Sequence, residues 1–153
     1  MEKYDALVSL SFGKGTTNNY LANIIRELYL NCSVDKVIVQ KEIADELPAD
    51  RFDILVIREH RQEGKYLDTI EVLGQVKELL ISSFTLKKPK ILLVAHPLHF
   101  YRAWKIAEKM GFKVIEGRVP EMRFDRKDPQ IWCRNWFFFR IWDLAGRIKY
   151  YLK

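Results

Sequence analysis

The sequence predicts a three-layer α/β domain, in which a mostly parallel sheet of about five strands carries helices on both faces. Short runs rich in Val, Ile and Leu alternate with amphipathic segments of helical length, which is the pattern of strand–helix units. The centres of these runs, such as 54–57 and 91–94, are continuously apolar, as expected for strands buried on both faces. A length of 153 residues with 48% hydrophobic content suits one domain with a substantial core. We therefore treat residues 1–153 as a single domain.

The first half of the chain is predicted to hold three strands and one helix. Residues 5–12 alternate in strand fashion, and residues 18–31 repeat apolar side chains at helical spacing behind polar capping residues. Residues 35–43 and 52–60 are the second and third apolar runs. The link at 44–52 is shorter than the roughly 10–12 residues of a usual parallel crossover. Either this link holds a single helical turn, or the strand pair is unusual.

The second half continues the alternation. Residues 68–84 place their apolar side chains on one helical face, and 89–97 form a fourth apolar run. A helix is predicted at 99–112, where a glycine near the end suits the C-terminal cap. Residues 113–120 form a fifth strand, and an aromatic helix at 135–152 is expected to pack on the domain.

Composition excludes several classes of protein. No run of about 18 apolar residues is present, so no membrane-spanning helix is expected. The N-terminal residues lack the charged, apolar and small-residue regions of a signal peptide, so we expect a cytoplasmic protein. Cys32 and Cys133 are the only cysteines and fit no metal-type spacing, so they are expected to be idle thiols.

Glycines, histidines and charged residues cluster where the predicted strands end. The segment 11–19 follows the first strand, 58–69 follows the third, and 96–102 follows the fourth. Ligands of open parallel sheets bind outside the carboxyl ends of the strands, at the point where the strand order reverses. We therefore expect these three segments to converge and build one polar crevice.

The glycine-rich turn after the first strand is a candidate anion cradle. Gly13 and Gly15 permit a close approach of the backbone, and a helix beginning near Thr16 points its N–H groups at an anion. Ser11 opens this loop and is included among the ligand-binding candidates. The loop is neither a P-loop nor the dinucleotide fingerprint, because Asn18 stands where a third glycine would be. A tight turn without a ligand is the alternative.

The fourth strand end supplies the candidate acid–base and anion-binding groups. His99 suits general acid–base work near neutral pH. Arg102, one turn further on, suits a phosphate or carboxylate, and His96 is a ligand contact or a helix cap.

The third strand end supplies further candidates. Glu59 is a second candidate catalytic residue, and Asp68 and Thr69 are candidate ligand contacts that a helix-capping role would also explain. A zinc site would require the histidines with His60 and an acidic oxygen donor in tetrahedral array. We predict no metal.

These motifs resemble the YdcF/SanA/ElyC-like family, a bacterial domain of largely undefined activity. The opening strand and glycine-rich turn are matched by 5–15, and the family's Glu and Asn-Thr-x-Glu motif by Glu59 and 68–71. The strand, His and Arg-Ala segment is matched by 92–112, and the closing Glu-x-x-Gly and tyrosine by 143–151.

Three departures from the family pattern accompany this resemblance. The family's Ser-Gly-Gly turn is replaced by 40–50, Asp68 stands for the usual Asn, and His96 stands for Thr or Ser. The resemblance implies a Rossmann-like fold, and it implies S-adenosylmethionine as a possible ligand because one member is thought to bind it.

The C-terminal region concentrates the positive charge. Residues 121–153 hold eight basic and four acidic residues, which accounts for +4 of the net charge of +6. The predicted helix at 135–152 is apolar almost all round, which is typical of a core or dimer interface. Peripheral contact with anionic membrane and stacking on nucleic acid are the alternatives, and an exposed Trp136 would favour them. We expect no specific nucleic-acid binding.

Two functions follow from these features. The first is a domain that binds a small anionic or nucleotide-like ligand at the carboxyl edge of the sheet, with or without chemistry. The second is a non-catalytic dimeric or membrane-surface module acting through the basic aromatic helix.

Overall fold

The structure, a computed structural model, describes residues 3–48, 53–57, 67–83, 88–116, 122 and 124–151. Strands and helices alternate along this part of the chain, as the sequence predicts. In chain order the elements are β1 (Lys3–Tyr4), β2 (Ala6–Ser9), α1 (Thr17–Asn31), β3 (Ser33–Val34), β4 (Val37–Gln40), α2 (Lys41–Ala44), β5 (Ile54–Ile57), α3 (Thr69–Ser83), β6 (Lys90–Val94), α4 (Pro97–Lys109), β7 (Lys113–Glu116), a 3-10 turn (Ile131–Cys133) and α5 (Trp136–Tyr151).

The main sheet has five strands in the order β5-β4-β2-β6-β7, and every neighbouring pair is parallel. Leu7 of β2 is aligned with Val37 on one side and Leu92 on the other. β1 and β3 form a separate two-stranded parallel ladder. Numbered along the chain, the five strands lie in the order 3-2-1-4-5, which is the doubly wound arrangement. The predicted Rossmann-like α/β fold is confirmed.

Helices cover both faces of the sheet because successive strand residues point to opposite sides. Ala6 and Val8 of β2 belong to a core cluster with α3 and α4, whereas Leu7 belongs to a second cluster with α1, α2 and α5. Each cluster is built mainly from aliphatic side chains, with a few aromatic ones, that are almost wholly buried. The result is the predicted three-layer arrangement.

The short link between the second and third strands contains one helical turn. The predicted strand at 35–43 ends at Gln40, and the chain turns at once into α2. Ile43 is fully buried in the second core cluster, so this turn contributes one apolar residue to the core. A single turn therefore suffices for β4 and β5 to pair in parallel.

The fourth helix begins two residues earlier than the sequence predicts. Pro97 is its first residue, a position that suits proline because the first helical N–H needs no partner. His96 is the N-cap and its side chain accepts from the N–H of Leu98. His99 therefore lies within the first turn of α4, not before it. At the other end, Gly111 has a φ of 95°, the left-handed conformation of a helix terminus.

Candidate functional site

The strand order reverses between β2 and β6, so the loops that follow these two strands flank the switch point. They meet in space. The rings of Phe12, after β2, and His96, after β6, stack with centroids 3.8 Å apart and planes 14° apart. Segments more than 80 residues apart in sequence therefore lie side by side at this edge.

The β2–α1 loop is held in shape by a buried asparagine. Asn18 accepts a hydrogen bond from the backbone N–H of Phe12 at 3.0 Å and donates one to the carbonyl of Gly13 at 3.2 Å. The backbone N–H of Ser11 donates to Oε1 of Gln40 at 2.9 Å. Sequence reasoning treated Asn18 as a candidate helix cap and as a departure from the dinucleotide fingerprint, and it did not consider Gln40. Both are scaffold residues of the site.

The donors of this loop hold two carboxylates of the chain itself. The backbone N–H groups of Lys14 and Gly15 donate to Oδ2 of Asp128 at 2.9 and 2.8 Å. The N–H and hydroxyl of Thr16 donate to Oδ2 of Asp125 at 2.9 and 3.1 Å. The predicted anion cradle at Gly13, Gly15 and Thr16 thus does contact anions, but they come from residues far along the same chain.

The two glycines are required by this close approach. A Cβ at Gly13 would lie 2.0 Å from Oδ2 of Asp128, and one at Gly15 would lie 2.3 Å from Oδ2 of Asp125. Gly13 also has a φ of 70°, the left-handed region that strains other residues. Hydrogen bonds from the N–H groups of Thr16 and Lys127 lower the pKa of Asp125, so this carboxylate is ionised at neutral pH.

Asp128 is the anchor of the C-terminal segment, defined here as residues 124–151. It is fully buried, and its second oxygen accepts from the N–H of Gln130 at 2.7 Å. Its carbonyl accepts from Nε of Arg134 at 2.6 Å. A buried carboxylate requires several donors to offset the loss of hydration, and three backbone N–H groups provide them here.

An aromatic cluster fills the space between the two loops. Phe124 and Phe139 of the C-terminal segment lie 5.2 and 6.3 Å, centroid to centroid, from the ring of His96, which is itself stacked on Phe12. Burial lowers the pKa of His96 to about 4, so the ring is neutral near pH 7.

His96 presents an N–H donor to this cluster. Its Nδ1 accepts from the N–H of Leu98 at 3.3 Å, which places the ring proton on Nε2. Within the described residues, Nε2 is buried and has no hydrogen-bond partner. A buried donor without a partner reduces the stability of the folded state by about 1–3 kcal/mol. An acceptor atom that reached Nε2–H of His96 would therefore be bound favourably.

A second polar network lies beside the cluster and joins three helices. Nε2 of His99 lies 3.1 Å from Oγ1 of Thr69 on α3, and Nδ1 lies 3.0 Å from a guanidinium nitrogen of Arg102. Arginine can only donate, so Nδ1 accepts and Nε2 donates to Thr69. The other guanidinium nitrogen of Arg102 lies 3.0 Å from Oδ1 of Asp143 on α5, and both side chains are largely buried.

This geometry changes the expected role of His99. Burial, followed by the nearby charge of Arg102, lowers the pKa of His99 to about 3. A ring with this pKa is neutral at pH 7 and is too weak a base for acid–base work there. The catalytic role of His99 stays a prediction, and both of its ring nitrogens are engaged in hydrogen bonds here. The ring positions Arg102, whose guanidinium lies beside the Asp143 carboxylate. Ligand binding by Arg102 also stays a prediction.

The remaining predicted site residues either have structural roles or lie outside the residues that the structure describes. Oδ1 of Asp68 caps α3 by accepting from the N–H of Glu71 at 3.0 Å. Glu59 and His60 fall outside the described residues. No group of three His, Cys, Asp or Glu side chains within the described part of the chain could hold a metal ion.

Both cysteines are free, and Cys133 is buried in the second core cluster. Burial, aided by the charge of Asp128, raises the pKa of the Cys133 thiol to about 12. This thiol is therefore protonated and unreactive at neutral pH.

Helix α5 touches the domain with one side only. Phe139 enters the aromatic cluster, and Asp143, one turn further on, reaches Arg102. Trp136, in contrast, is 54% exposed, and most other large apolar residues of α5 are exposed as well. Of the two expected roles of this helix, core or dimer interface, the outer side does not lie in the core of this chain, and a dimer interface stays a prediction. Among the described residues, no helix has the length and hydropathy needed to cross a bilayer.

Fold and site together define a doubly wound α/β domain whose switch point is covered by its own C-terminal segment. No protein-family model matches the chain, and no curated protein sequence matches it. Among solved structures, a C175S mutant of PPC decarboxylase complexed with pantothenoylaminoethenethiol shows 11% identity and a TM-score of 0.35, over 74% of this chain and 82% of its own. A likeness at this level carries no argument about function.

Proposed function

We propose that this domain binds a small anionic ligand at the switch point, through the donors that hold Asp125 and Asp128 when the ligand is absent. One observation carries the proposal. Four donors of residues 14–16 converge on two carboxylate oxygens within 3.1 Å. Donors arranged in this way at the start of a 15-residue helix accept phosphate or carboxylate oxygens equally well.

The chemistry around the loop favours a ligand that combines a charged group with a ring. The loop supplies hydrogen bonds to the charge, and the stacked rings of Phe12 and His96 offer a flat apolar surface beside it. The unpaired Nε2–H of His96 can bind one polar atom of the ligand. Displacement of Phe124 and Phe139 with the C-terminal segment would give a ligand access to this surface.

The resemblance to the YdcF-like family supports the same class of ligand. S-adenosylmethionine, which the resemblance suggests, carries both a carboxylate and an adenine ring. The proposal is one of binding and assigns no reaction, since His99 is neutral and both of its nitrogens are engaged. The cytoplasmic location expected from the sequence belongs to the same proposal.

Thermal unfolding with inorganic phosphate, pyrophosphate, AMP and S-adenosylmethionine tests this proposal. The wild-type protein is compared with the double variant Asp125→Asn and Asp128→Asn, in which the competing negative charges are removed. We expect at least one of these anions to raise the Tm of the wild type, and to raise that of the double variant by more.

Two glycine variants supply the matched controls. Gly15→Ala places a methyl group where the bound oxygen lies and is expected to abolish the ligand-induced shift. Gly74→Ala, on α3 with no atom near its added Cβ, should respond as the wild type does. The proposal fails if no anion stabilises either the wild type or Gly74→Ala, or if Gly15→Ala responds fully.

A further inference from the structure

Helix α5 exposes a continuous apolar surface. Phe139 and Asp143 face the domain, and at 100° per residue the described side chains within about 60° of the opposite direction are all apolar. We call this arc the outward face of α5. Its large members are Phe137, Phe138, Ile141, Leu144 and Ile148, each between 43% and 61% exposed. Trp136 and Trp142 lie outside this arc and are also exposed, and the ring of Trp142 stacks on that of Trp132 with centroids 4.4 Å apart. Contiguous apolar surface of this extent marks an interaction site.

The charged residues of α5 indicate the chemistry of the partner that this face would bind. Its only acidic residue, Asp143, is turned inward onto Arg102 and is 4% exposed at the side chain. Arg140 is exposed at the edge of the outward face, with its guanidinium 5.2 Å from the ring centre of Trp136. The helix also contains Arg147 and Lys149, so its sequence carries three basic residues against one acidic residue.

We propose that the outward face of α5 docks on an anionic phospholipid bilayer, with the helix axis parallel to the surface. Apolar side chains enter the boundary between headgroups and acyl chains, tryptophan rings lie at headgroup level, and basic residues contact lipid phosphates. A two-fold contact between copies of this chain would use the same positively charged surface on both copies, whereas an anionic bilayer supplies the opposite charge. This inference does not require that the domain bind the ligand proposed above.

Co-sedimentation with lipid vesicles tests the proposal on the full chain. We compare vesicles of phosphatidylcholine alone with vesicles containing about one-third phosphatidylserine, the anionic lipid of many cytoplasmic leaflets. We expect binding to the anionic vesicles only, and loss of that binding as salt rises. The double variant Phe137→Ser and Ile141→Ser should bind at least about tenfold more weakly, since two exposed apolar side chains are removed. Arg140→Gln should bind about fivefold more weakly.

Matched variants on other elements distinguish binding through the outward face of α5 from non-specific binding to vesicles. Leu30→Ser removes an apolar side chain that is 80% exposed on α1, and Lys113→Gln removes an exposed charge on β7. Both should bind anionic vesicles as the wild type does. Circular dichroism checks that each variant folds, which is expected because every changed side chain is exposed. The proposal is overturned if anionic vesicles bind no protein, if Leu30→Ser weakens binding as much as the α5 variant, or if the outward face forms a stable dimer that does not sediment with lipid.

Discussion

Gly13→Ala and Gly74→Ala make the same chemical change, and the structure predicts opposite effects on stability. At Gly13, alanine would hold a φ of 70°, which costs about 1 kcal/mol. Its Cβ would also lie 2.0 Å from Oδ2 of Asp128, so the carboxylate must move from the N–H groups of Lys14 and Gly15. Partial loss of two hydrogen bonds to a charged acceptor costs about 2 kcal/mol. Alanine also lowers the conformational entropy of the unfolded chain, which offsets about 0.5 kcal/mol of this loss of stability.

The expected net effect at Gly13 is a loss of about 2–3 kcal/mol, or a Tm lower by about 5–10 °C for a chain of this length. Gly74 lies inside α3 with no atom within 4 Å of an added Cβ. Alanine there should stabilise the protein by about 0.5–1 kcal/mol, because glycine is a poor helix former. Urea unfolding at neutral pH, followed by circular dichroism, measures both values. A Gly13→Ala protein within about 0.5 kcal/mol of wild type would show that Asp128 is not held as the structure places it.

Two further predictions concern the network around Arg102. Because the pKa of folded His99 is about 3, against an ordinary value of 6.5, the unfolded chain binds more protons between these limits. Stability should be complete above pH 6.5 and fall by up to about 1.4 kcal/mol per pH unit below it. Urea midpoints at pH 7 and pH 5 should therefore differ less in His99→Gln than in wild type, and an unchanged difference would contradict the buried neutral ring. Asp143→Asn should cost about 3 kcal/mol, because it removes the negative charge that lies 3.0 Å from the largely buried guanidinium of Arg102. Glu108→Gln, which breaks an exposed pair with Lys105, should cost less than about 0.5 kcal/mol, and equal losses would contradict this account.

The carboxylates of the C-terminal segment connect the two parts of the site. Asp125 and Asp128 occupy the donors after β2, and Asp143 occupies Arg102 on α4. Each predicted anion-binding group thus holds an acidic side chain of residues 124–151. Ligand binding at these groups stays a prediction, and the acidic groups that they contact in this structure belong to the chain itself.

Local pattern was sufficient for the fold class and for several site features. Apolar runs and helical spacing are properties of neighbouring residues. The strand–helix alternation and the parallel sheet can therefore be predicted from the sequence. The glycines of 13–15 also signal a close backbone approach without any knowledge of the partner. His96 and Asp68 are recognisable as polar residues at helix starts.

Which residue each predicted site residue contacts depended on the tertiary structure. Lys14 and Asp128 are separated by 114 residues, and no periodicity links them. Whether His99 is a proton carrier or a positioning residue depends on its burial, and therefore on where α3 and α5 pack. Likewise, the apolar pattern of residues 136–148 is the same for a core helix and for an exposed one. Only the path of the chain, which turns Phe139 and Asp143 inward, leaves the rest of that helix facing solvent.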